Sequence, residues 1–358
     1  MALKGKVPTM SFMKKPVAQH SSAGKNALGL TLRDYEGGMS TLCAGCGHDS
    51  ITAALVQAFW EMAVEPHRVA KMSGIGCSSK TPAYFLRQSH GINTVHGRMP
   101  SVATGANAAN QDMYFVGVSG DGDSLSIGFG QFAHALRRNV NMLYLIENNG
   151  VYGLTKGQFS ASADVGSTTK KGEVNEMSPI DPVTTAIGLG GTFVARSFSG
   201  DKEQLVPLIK AGLKHRGFAF IDIISPCVTF NDHAGSTKSY AHTREFYHPA
   251  INAHLVEPKA EIKAQYDAGE AIEVLMHDGS TLFLKKADPD YDPSDRAHAS
   301  EYLERHRKLG QVVTGLLYLE EDGTDFHRFN RTISGSLVSA PKRDDRKEIL
   351  ERVQARYR

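Results

Sequence analysis

The residues of this sequence best suited to bind a metal are its four cysteines. Cys43 and Cys46 form a Cys-x-x-Cys pair, while Cys77 and Cys227 stand alone farther along the chain. Such a pair supplies two ligands, and the two distant cysteines complete four thiolates if their loops meet. Four thiolates suit structural zinc and an iron–sulfur cluster about equally well, and lone cysteines are also common as small buried hydrophobic residues. The spacing predicts a metal site and leaves both metals open.

A second candidate site combines glycines, carboxylates and amides in two short segments. Gly-Asp-Gly-Asp occupies 120–123, and Asn-Asn-Gly-Val-Tyr-Gly occupies 148–153. The glycines would let backbone N–H groups close on a diphosphate at the start of the next helix, where the helix dipole favours an anion. Carboxylate, amide and carbonyl oxygens are the ligands that Mg²⁺ prefers, here from Asp121, Asn149 and the Val151 backbone. The pattern predicts a diphosphate and magnesium site formed by Gly120, Asp121, Gly122, Asp123, Asn149 and Val151.

Two other interpretations of 120–123 fail on spacing. An EF-hand loop needs an oxygen ligand, a glycine and a glutamate where this sequence has Leu125, Ser126 and Phe132. A dinucleotide-binding fingerprint needs Gly-x-Gly-x-x-Gly, and no such string opens this helix. Gly-Asp-Gly alone is a weak signal, so the prediction depends on its pairing with Asn-Asn.

The elements that must position these residues alternate between strands and helices. A helix from Asp49 carries an apolar stripe that ends before Pro66, and 114–119 reads as a buried strand. A turn at 120–122, a helix at 124–138 and a strand at 141–147 complete a βαβ unit, and a helix at 201–215 and a strand at 219–224 continue the alternation. We expect an α/β fold with a doubly wound, mostly parallel sheet and its ligand site beyond the carboxyl ends of the strands.

The chain divides into three segments that differ in composition and in predicted structure. Residues 1–25 mix Lys, Pro, Ser and His without a period and predict a flexible arm, while 26–240 hold both candidate sites. Residues 241–358 predict a small mixed C-terminal extension, with a hairpin at 272–276 and 281–286 and a charged helical tail from 342.

Bulk composition narrows the partners and the location. The formal net charge is only +2, so nothing draws the whole chain to nucleic acid or to a membrane surface. No apolar run is long enough to span a bilayer, and the Lys-rich N-terminus lacks the apolar segment of a signal peptide. We therefore expect a cytoplasmic protein that binds neither nucleic acid nor membrane.

Gly-Asp-Gly followed within thirty residues by Asn is the signature of thiamine-diphosphate enzymes. The longer strings at 120–128, 134–139 and 152–158 resemble the β subunits of 2-oxoacid:ferredoxin oxidoreductases, and the resemblance covers about 41–240. It implies a thiamine-diphosphate-binding (PP-type) fold with bound Mg²⁺. It also implies that Cys43, Cys46, Cys77 and Cys227 hold one [4Fe–4S] cluster, with Cys77 close to the thiamine.

Three further side chains are candidates for contact with the substrate or the cofactor. His96 lies in Thr-Val-His-Gly-Arg-Met-Pro at 94–100, a loop that borders thiamine in the resembled family, and it could hydrogen-bond the diphosphate or the reacting carbonyl. Lys80 could pair with the carboxylate of a 2-oxoacid, and Arg98 is a weaker candidate for the same role. A packed loop histidine and a solvated lysine are the ordinary alternatives.

The resemblance implies oxidative decarboxylation of a 2-oxoacid onto coenzyme A, with electrons passed through the cluster to ferredoxin. The chain has one diphosphate-type domain, so an α subunit is expected to supply the pyrimidine-binding half and its glutamate in an α₂β₂ heterotetramer. The strings at 137–139 and 231–240 favour 2-oxoglutarate, which would give succinyl-CoA and CO₂. Pyruvate, a non-redox thiamine-dependent lyase subunit with structural zinc, and a zinc-stapled binding module are the alternatives.

Overall fold

The protein is described here by a computed structural model, which covers residues 24–256, 271–286, 288, 290–332, 334–336, 351, 354 and 355. Nearly all of the N-terminal arm expected at 1–25 lies outside the described residues. The charged tail expected from 342 lies outside them as well, apart from isolated positions. Among the described helices, none combines the length and the apolar character needed to cross a bilayer.

A single ten-stranded sheet runs through the molecule in the order β10-β11-β9-β12-β7-β8-β4-β3-β1-β2. Neighbouring strands from β7 to β2 are parallel, which confirms the expected mostly parallel sheet. A separate two-stranded ribbon is formed by β5 and β6. The strands are β1 (Val69–Ser73), β2 (His90–Asn93), β3 (Tyr114–Gly120), β4 (Met142–Asn148), β5 (Val151–Tyr152), β6 (Gln158–Phe159), β7 (Phe193–Phe198), β8 (Phe218–Ile224), β9 (Tyr247–Val256), β10 (Ala271–Leu275), β11 (Thr281–Lys286) and β12 (Val312–Leu319).

The helices cover both faces of the parallel strands. Every residue of β4, β7 and β8 is buried, and side chains of successive residues point to opposite faces, so neither face of these strands meets solvent. Helix α1 packs against α5, and α2 packs against α3. The helices are α1 (Gly47–Glu61), α2 (Met99–Ala109), α3 (Phe129–Arg137), α4 (Pro182–Gly188), α5 (Lys202–Lys214), α6 (Tyr240–Glu245), α7 (Arg296–Lys308) and α8 (Phe326–Asn330).

Helix α1 begins at Gly47, before the predicted start at Asp49, and its N-cap residue is Cys46. The predicted apolar stripe is buried, because Ile51, Leu55 and Phe59 are each 0% exposed. The earlier start brings one member of the Cys-x-x-Cys pair to the end of a rigid helix.

The C-terminal extension continues the same sheet. Strand β12 pairs antiparallel with β7 at the edge of the parallel strands, and β9 pairs parallel with β12. Strands β10 and β11 pair antiparallel where the sequence predicts a hairpin. The extension therefore adds mixed strands to one side of the sheet.

The sequence predicts a turn at 120–122, and this prediction is wrong in one respect. A helix begins immediately after β3. Asp121 is the N-cap of a π-helical segment at Gly122–Ile127, which leads into α3. The amide of Gly128 donates to the carbonyl of Asp123 at 2.8 Å, the five-residue step of a π-helix. Such segments are rare and are frequent at functional sites.

Candidate functional site

The residues singled out by the sequence converge at the carboxyl ends of four adjacent strands. In the order β8-β4-β3-β1, these strands are followed closely by Cys227, Asn149, Asp121 and Cys77. Neighbouring strands lie about 4.8 Å apart, so four of them span about 14 Å. Side chains that follow them can therefore line a common set of clefts.

Asp121, Asn149 and Val151 line a cleft of about 500 Å³, which we call the β3–β4 cleft. Gly120, Gly122 and Asp123 line it too, together with His96, Cys77 and Tyr152. All the side chains predicted for the diphosphate and magnesium site are thus brought together.

Asp121 is buried and has the surroundings of a cation ligand. Its carboxylate accepts hydrogen bonds from the hydroxyls of Ser160 and Ser162, the latter at 2.9 Å, and from the amide of Asn149 at 3.4 Å. Burial raises the pKa of Asp121, and the two serine hydrogen bonds oppose that rise. Among the described ion pairs none involves Asp121, so a bound cation would supply the missing positive charge.

The backbone around Asn149 is fixed by amide hydrogen bonds. The Asn149 side-chain oxygen accepts from the Val151 amide at 3.0 Å, and its carbonyl accepts from the Asn231 side chain at 2.7 Å. Gly150 between them has φ of +75°, in the left-handed region that favours glycine. The turn therefore holds the Asn149 oxygen and the Val151 backbone in the same wall of the cleft.

The glycines of Gly-Asp-Gly are required by close packing. A Cβ atom at Gly122 would lie 2.5 Å from the ring of Tyr152, and one at Gly120 would lie 2.9 Å from the hydroxyl of Ser78. The Tyr152 hydroxyl also donates to the Gly122 carbonyl at 3.2 Å. Side chains at either glycine would push the neighbouring loops away from the cleft.

Asp123 connects the loops around the cleft, which the sequence did not indicate. One carboxylate oxygen accepts from the amides of Ile75 at 3.2 Å and Gly97 at 2.7 Å and contacts Nδ1 of His96. The other accepts from the hydroxyl of Ser119 at 2.6 Å. Through these bonds Asp123 positions the loops that follow β1 and β2, and it orients the His96 ring.

All four cysteines line a second cleft of about 440 Å³, which we call the cysteine cleft. A Cβ atom at Gly153 would lie 3.4 Å from Sγ of Cys77 and 3.7 Å from Sγ of Cys227, so both thiols face this glycine. The Thr229 hydroxyl lies 3.2 Å from Sγ of Cys43. The four sulfur atoms thus surround one space.

The spacing and protonation of the thiols bear on which metal would fit. Among the described residues, no three cysteine sulfur atoms all lie within 4.8 Å of one another. One zinc ion with four bonds of about 2.3 Å needs its sulfur atoms about 3.8 Å apart, whereas an iron–sulfur cluster presents more widely separated corners. Burial raises the pKa of Cys46 to about 12 and also raises those of Cys77 and Cys227. A metal centre would supply the positive charge that thiolates need here.

The two clefts share walls. His48, Cys77, Asn149 and Gly153 line both of them. A group bound in one cleft would therefore lie next to a group bound in the other.

The three candidate side chains His96, Lys80 and Arg98 lie in three different places. Lys80 lines the cysteine cleft, and its charge lowers the pKa of Cys77 against the dominant effect of burial. Arg98 is exposed at the N-cap of α2 and lines neither cleft. The structure therefore brings His96 to the β3–β4 cleft and Lys80 to the edge of the cysteines.

Sequence reasoning missed Glu147 and His48. Glu147 is 0% exposed at the end of β4, with the Thr81 hydroxyl 3.0 Å from each of its oxygens and His48 Nδ1 at 3.4 Å. Burial raises the pKa of Glu147 well above its usual value and lowers that of His48 to about 4, so His48 is neutral at pH 7. The signal available was a glutamate inside an otherwise apolar strand, just before Asn-Asn.

A parallel sheet with acidic, glycine-rich loops at its carboxyl edge is the arrangement of a thiamine-diphosphate-binding enzyme domain. Residues 74–223 match the family described as thiamine pyrophosphate enzyme, C-terminal TPP binding domain. The chain is also similar to a 2-oxoacid:ferredoxin oxidoreductase subunit beta of Sulfolobus sp, at 42% identity over 77% of this chain and 94% of that protein. The chain belongs to the family of β subunits of 2-oxoacid:ferredoxin oxidoreductases.

Two further relatives support the same family assignment. A 2-oxoacid:ferredoxin oxidoreductase subunit beta of Saccharolobus solfataricus is 43% identical over 57% of this chain and 65% of its own length. Among solved structures, a 2-oxoglutarate:ferredoxin oxidoreductase from Magnetococcus marinus with 2-oxoglutarate, coenzyme A and succinyl-CoA bound matches with a TM-score of 0.70 and 31% identity. That match covers 90% of this chain and 96% of the other.

Proposed function

We propose that this chain is the β subunit of an enzyme that oxidatively decarboxylates 2-oxoglutarate with coenzyme A, giving succinyl-CoA and CO₂ and reducing ferredoxin. The observation that carries the proposal is the shared wall of the two clefts, formed by His48, Cys77, Asn149 and Gly153. A reaction that releases electrons in one cleft would then have an acceptor in the next. The solved relative with 2-oxoglutarate and succinyl-CoA bound supports this choice of substrate.

In this proposal the β3–β4 cleft holds the diphosphate of thiamine diphosphate and Mg²⁺. Asp121, the Asn149 side-chain oxygen and the Val151 carbonyl would bind the cation, since they line one wall and Asp121 lacks a described ion-pair partner. His96, oriented by Asp123, would donate to the diphosphate or to the reacting carbonyl oxygen. When bound, thiamine diphosphate supplies the carbanion chemistry of decarboxylation.

The cysteine cleft would hold a [4Fe–4S] cluster, which supplies one-electron transfer. The wide spacing of the thiols favours a cluster over one zinc ion, and Cys77 borders both clefts. Lys80, beside Cys77, would attract the carboxylate of the 2-oxoacid. Cysteines that remain reduced fit a cytoplasmic location.

The active site would be shared with an α subunit. Glu147 is the only glutamate among the described residues that line the two clefts, and it is engaged with Thr81 and His48. A pyrimidine-binding half with its own glutamate would therefore come from the partner, in an α₂β₂ assembly.

Metal analysis of the anaerobically purified α and β complex tests the cluster. We expect about four irons and four sulfides per chain, lost in Cys77→Ser and kept in the neighbouring control Ser79→Ala. Stoichiometric zinc without iron would instead support the non-redox lyase. To test the substrate, coenzyme A-dependent dye reduction is compared for 2-oxoglutarate and pyruvate, and equal or pyruvate-dominated rates would overturn the 2-oxoglutarate assignment.

A further inference from the structure

A group of side chains of the types that bind metals lies in the C-terminal extension, and none of them lines either cleft. His248 on β9, Asp288 after β11 and His306 on α7 offer ligand atoms that all lie within 4.8 Å of one another. We call these three residues the His–Asp–His cluster. It is the only such group of three among the described residues, although the chain contains 15 histidines and 38 acidic residues.

His306 has the orientation and surroundings of a metal ligand. Its side chain is buried at 7% exposure, and Nδ1 lies 2.5 Å from the side-chain oxygen of Gln311. Its other ring nitrogen, Nε2, is buried and has no hydrogen-bond partner in the part of the chain that the structure describes. Metal-binding histidines usually donate one ring N–H to such an oxygen, which fixes the ring and leaves the other nitrogen for the metal. A buried nitrogen without a partner otherwise costs free energy.

The other two ligands are held in place beside it. Nε2 of His248 lies 3.5 Å from a carboxylate oxygen of Asp288, and the His248 ring stacks on that of His306 with centroids 4.5 Å apart. The other Asp288 oxygen accepts from the amide of Asp290 at 3.0 Å, which fixes the turn. The pKa of Asp288 is lowered, chiefly by a hydrogen bond from Tyr302, so the carboxylate is ionised at pH 7.

Tyr302 is the nearest additional oxygen. Its hydroxyl lies 2.6 Å from Asp288 and 2.9 Å from His248 Nε2, and burial raises its pKa. The side chain of Arg305, on the same helix, lies over the Tyr302 ring at 5.2 Å from the centroid. A neutral phenol or a water molecule could take a fourth position, while the net charge of the ligand set stays at −1 from Asp288 alone.

We propose that His248, Asp288 and His306 bind a divalent transition metal of the zinc type. Two imidazoles and one carboxylate are a usual zinc ligand set, and they discriminate against Mg²⁺ and Ca²⁺, which prefer oxygen ligands. The metal would cross-link β9, the turn at Asp288 and α7, and so would stabilise the C-terminal extension. The site is separate from the four cysteines.

Zinc counting on the holoenzyme tests the site, because iron then occupies the cysteine cleft. The α and β complex is dialysed against buffered Zn²⁺, and zinc per chain is measured by mass spectrometry. We expect about one zinc per chain, lost in His248→Gln and His306→Gln and retained in His298→Gln. His298 is a matched control, since it lies on α7 near Tyr302 but outside the cluster.

Two further variants separate metal binding from folding. His306→Cys keeps a ligand and should retain zinc, whereas Gln311→Leu should weaken zinc binding about 10–100-fold because it frees the His306 ring. Zinc should also raise the melting temperature of the native complex but not of His306→Gln. The proposal is overturned if the native complex binds no zinc, or if His306→Gln binds as much as the native complex. Zinc lost only on Cys77→Ser would overturn it as well and would assign that zinc to the cysteines.

Discussion

Arg196 lies in a buried charge network that reaches Asp121 in the wall of the β3–β4 cleft. Its guanidinium contacts Asp181 and donates to Asp222 at 2.8 Å. Asp222 in turn accepts from the Asn148 side chain at 3.0 Å, and the Asn148 oxygen accepts from Ser162, which also contacts Asp121. Replacing Arg196 by Met would keep most of the buried stem and remove the guanidinium, with its charge and its hydrogen bonds to Asp181 and Asp222.

The cost of Arg196→Met follows from the exposure of the partners. Asp222 is 0% exposed and cannot turn to water, whereas Asp181 is 30% exposed and can. Breaking a buried pair costs about 3–5 kcal/mol, and the escape of Asp181 places this case near the lower figure, about 3 kcal/mol. Adding Asp222→Asn removes the unpaired charge and keeps an acceptor for Asn148, so the double variant should recover at least about 1 kcal/mol.

Urea unfolding of the full chain, monitored by circular dichroism at two pH values, checks both numbers. Burial raises the pKa of Asp222 and Arg196 lowers it, so this carboxyl titrates higher still in Arg196→Met. Its protonation then removes the buried charge, and the deficit relative to the native chain should shrink as the pH falls from neutral toward the usual titration range of a carboxyl group. A loss below about 1 kcal/mol, no recovery with Asp222→Asn, or a deficit that grows on acidification would refute the reasoning.

Three more perturbations give separate outcomes. Ser162→Ala removes a hydroxyl shared by Asp121 and Asn148 and should weaken Mg²⁺ binding about 10–100-fold, measured by the Mg²⁺ dependence of thiamine diphosphate binding. Unchanged affinity would contradict the proposed magnesium site. Gly153→Ala places a methyl group 3.4 Å from Sγ of Cys77 and should lower iron content, while Gly105→Ala, with no atom within 4 Å of its Cβ, should not. Lys71 is buried against the carbonyls of Phe85 and Leu86, and burial lowers its pKa to about 8. Between pH 8 and 10.5 the unfolded chain therefore holds more protons than the folded chain. The free energy of unfolding should rise with pH across that window, and Lys71→Met should abolish that part of the rise.

The features that the sequence could predict are local ones. Gly-Asp-Gly and Asn-Asn each follow a buried apolar strand directly, so their place at the carboxyl edge follows from the βαβ alternation. Asp121 and Asn149 could be found because their partners, diphosphate and a hard cation, demand those atom types.

Long-range partners could not be found in the same way. Asp123 lies only two residues after Asp121, and only the folded chain brings the amides of Ile75 and Gly97 to it. Arg196 and Asp222 likewise lie on separate strands that happen to be neighbours. Strand β12 pairs antiparallel with β7, and no local pattern in the sequence predicts that pairing.

The convergence of the cysteines depends on strand order and on the course of the loop after β4. Cys77 follows β1 and Cys227 follows β8, and these strands are separated in the sheet by β3 and β4. Their thiols can still face one space because the loop after β4 passes between them, and that loop carries Gly153 where a Cβ would meet both sulfur atoms. The same loop also carries Asn149 and Val151, which form one wall of the β3–β4 cleft. This wall and the glycine that faces both thiols therefore belong to one turn. A change in that turn is therefore expected to alter both clefts together.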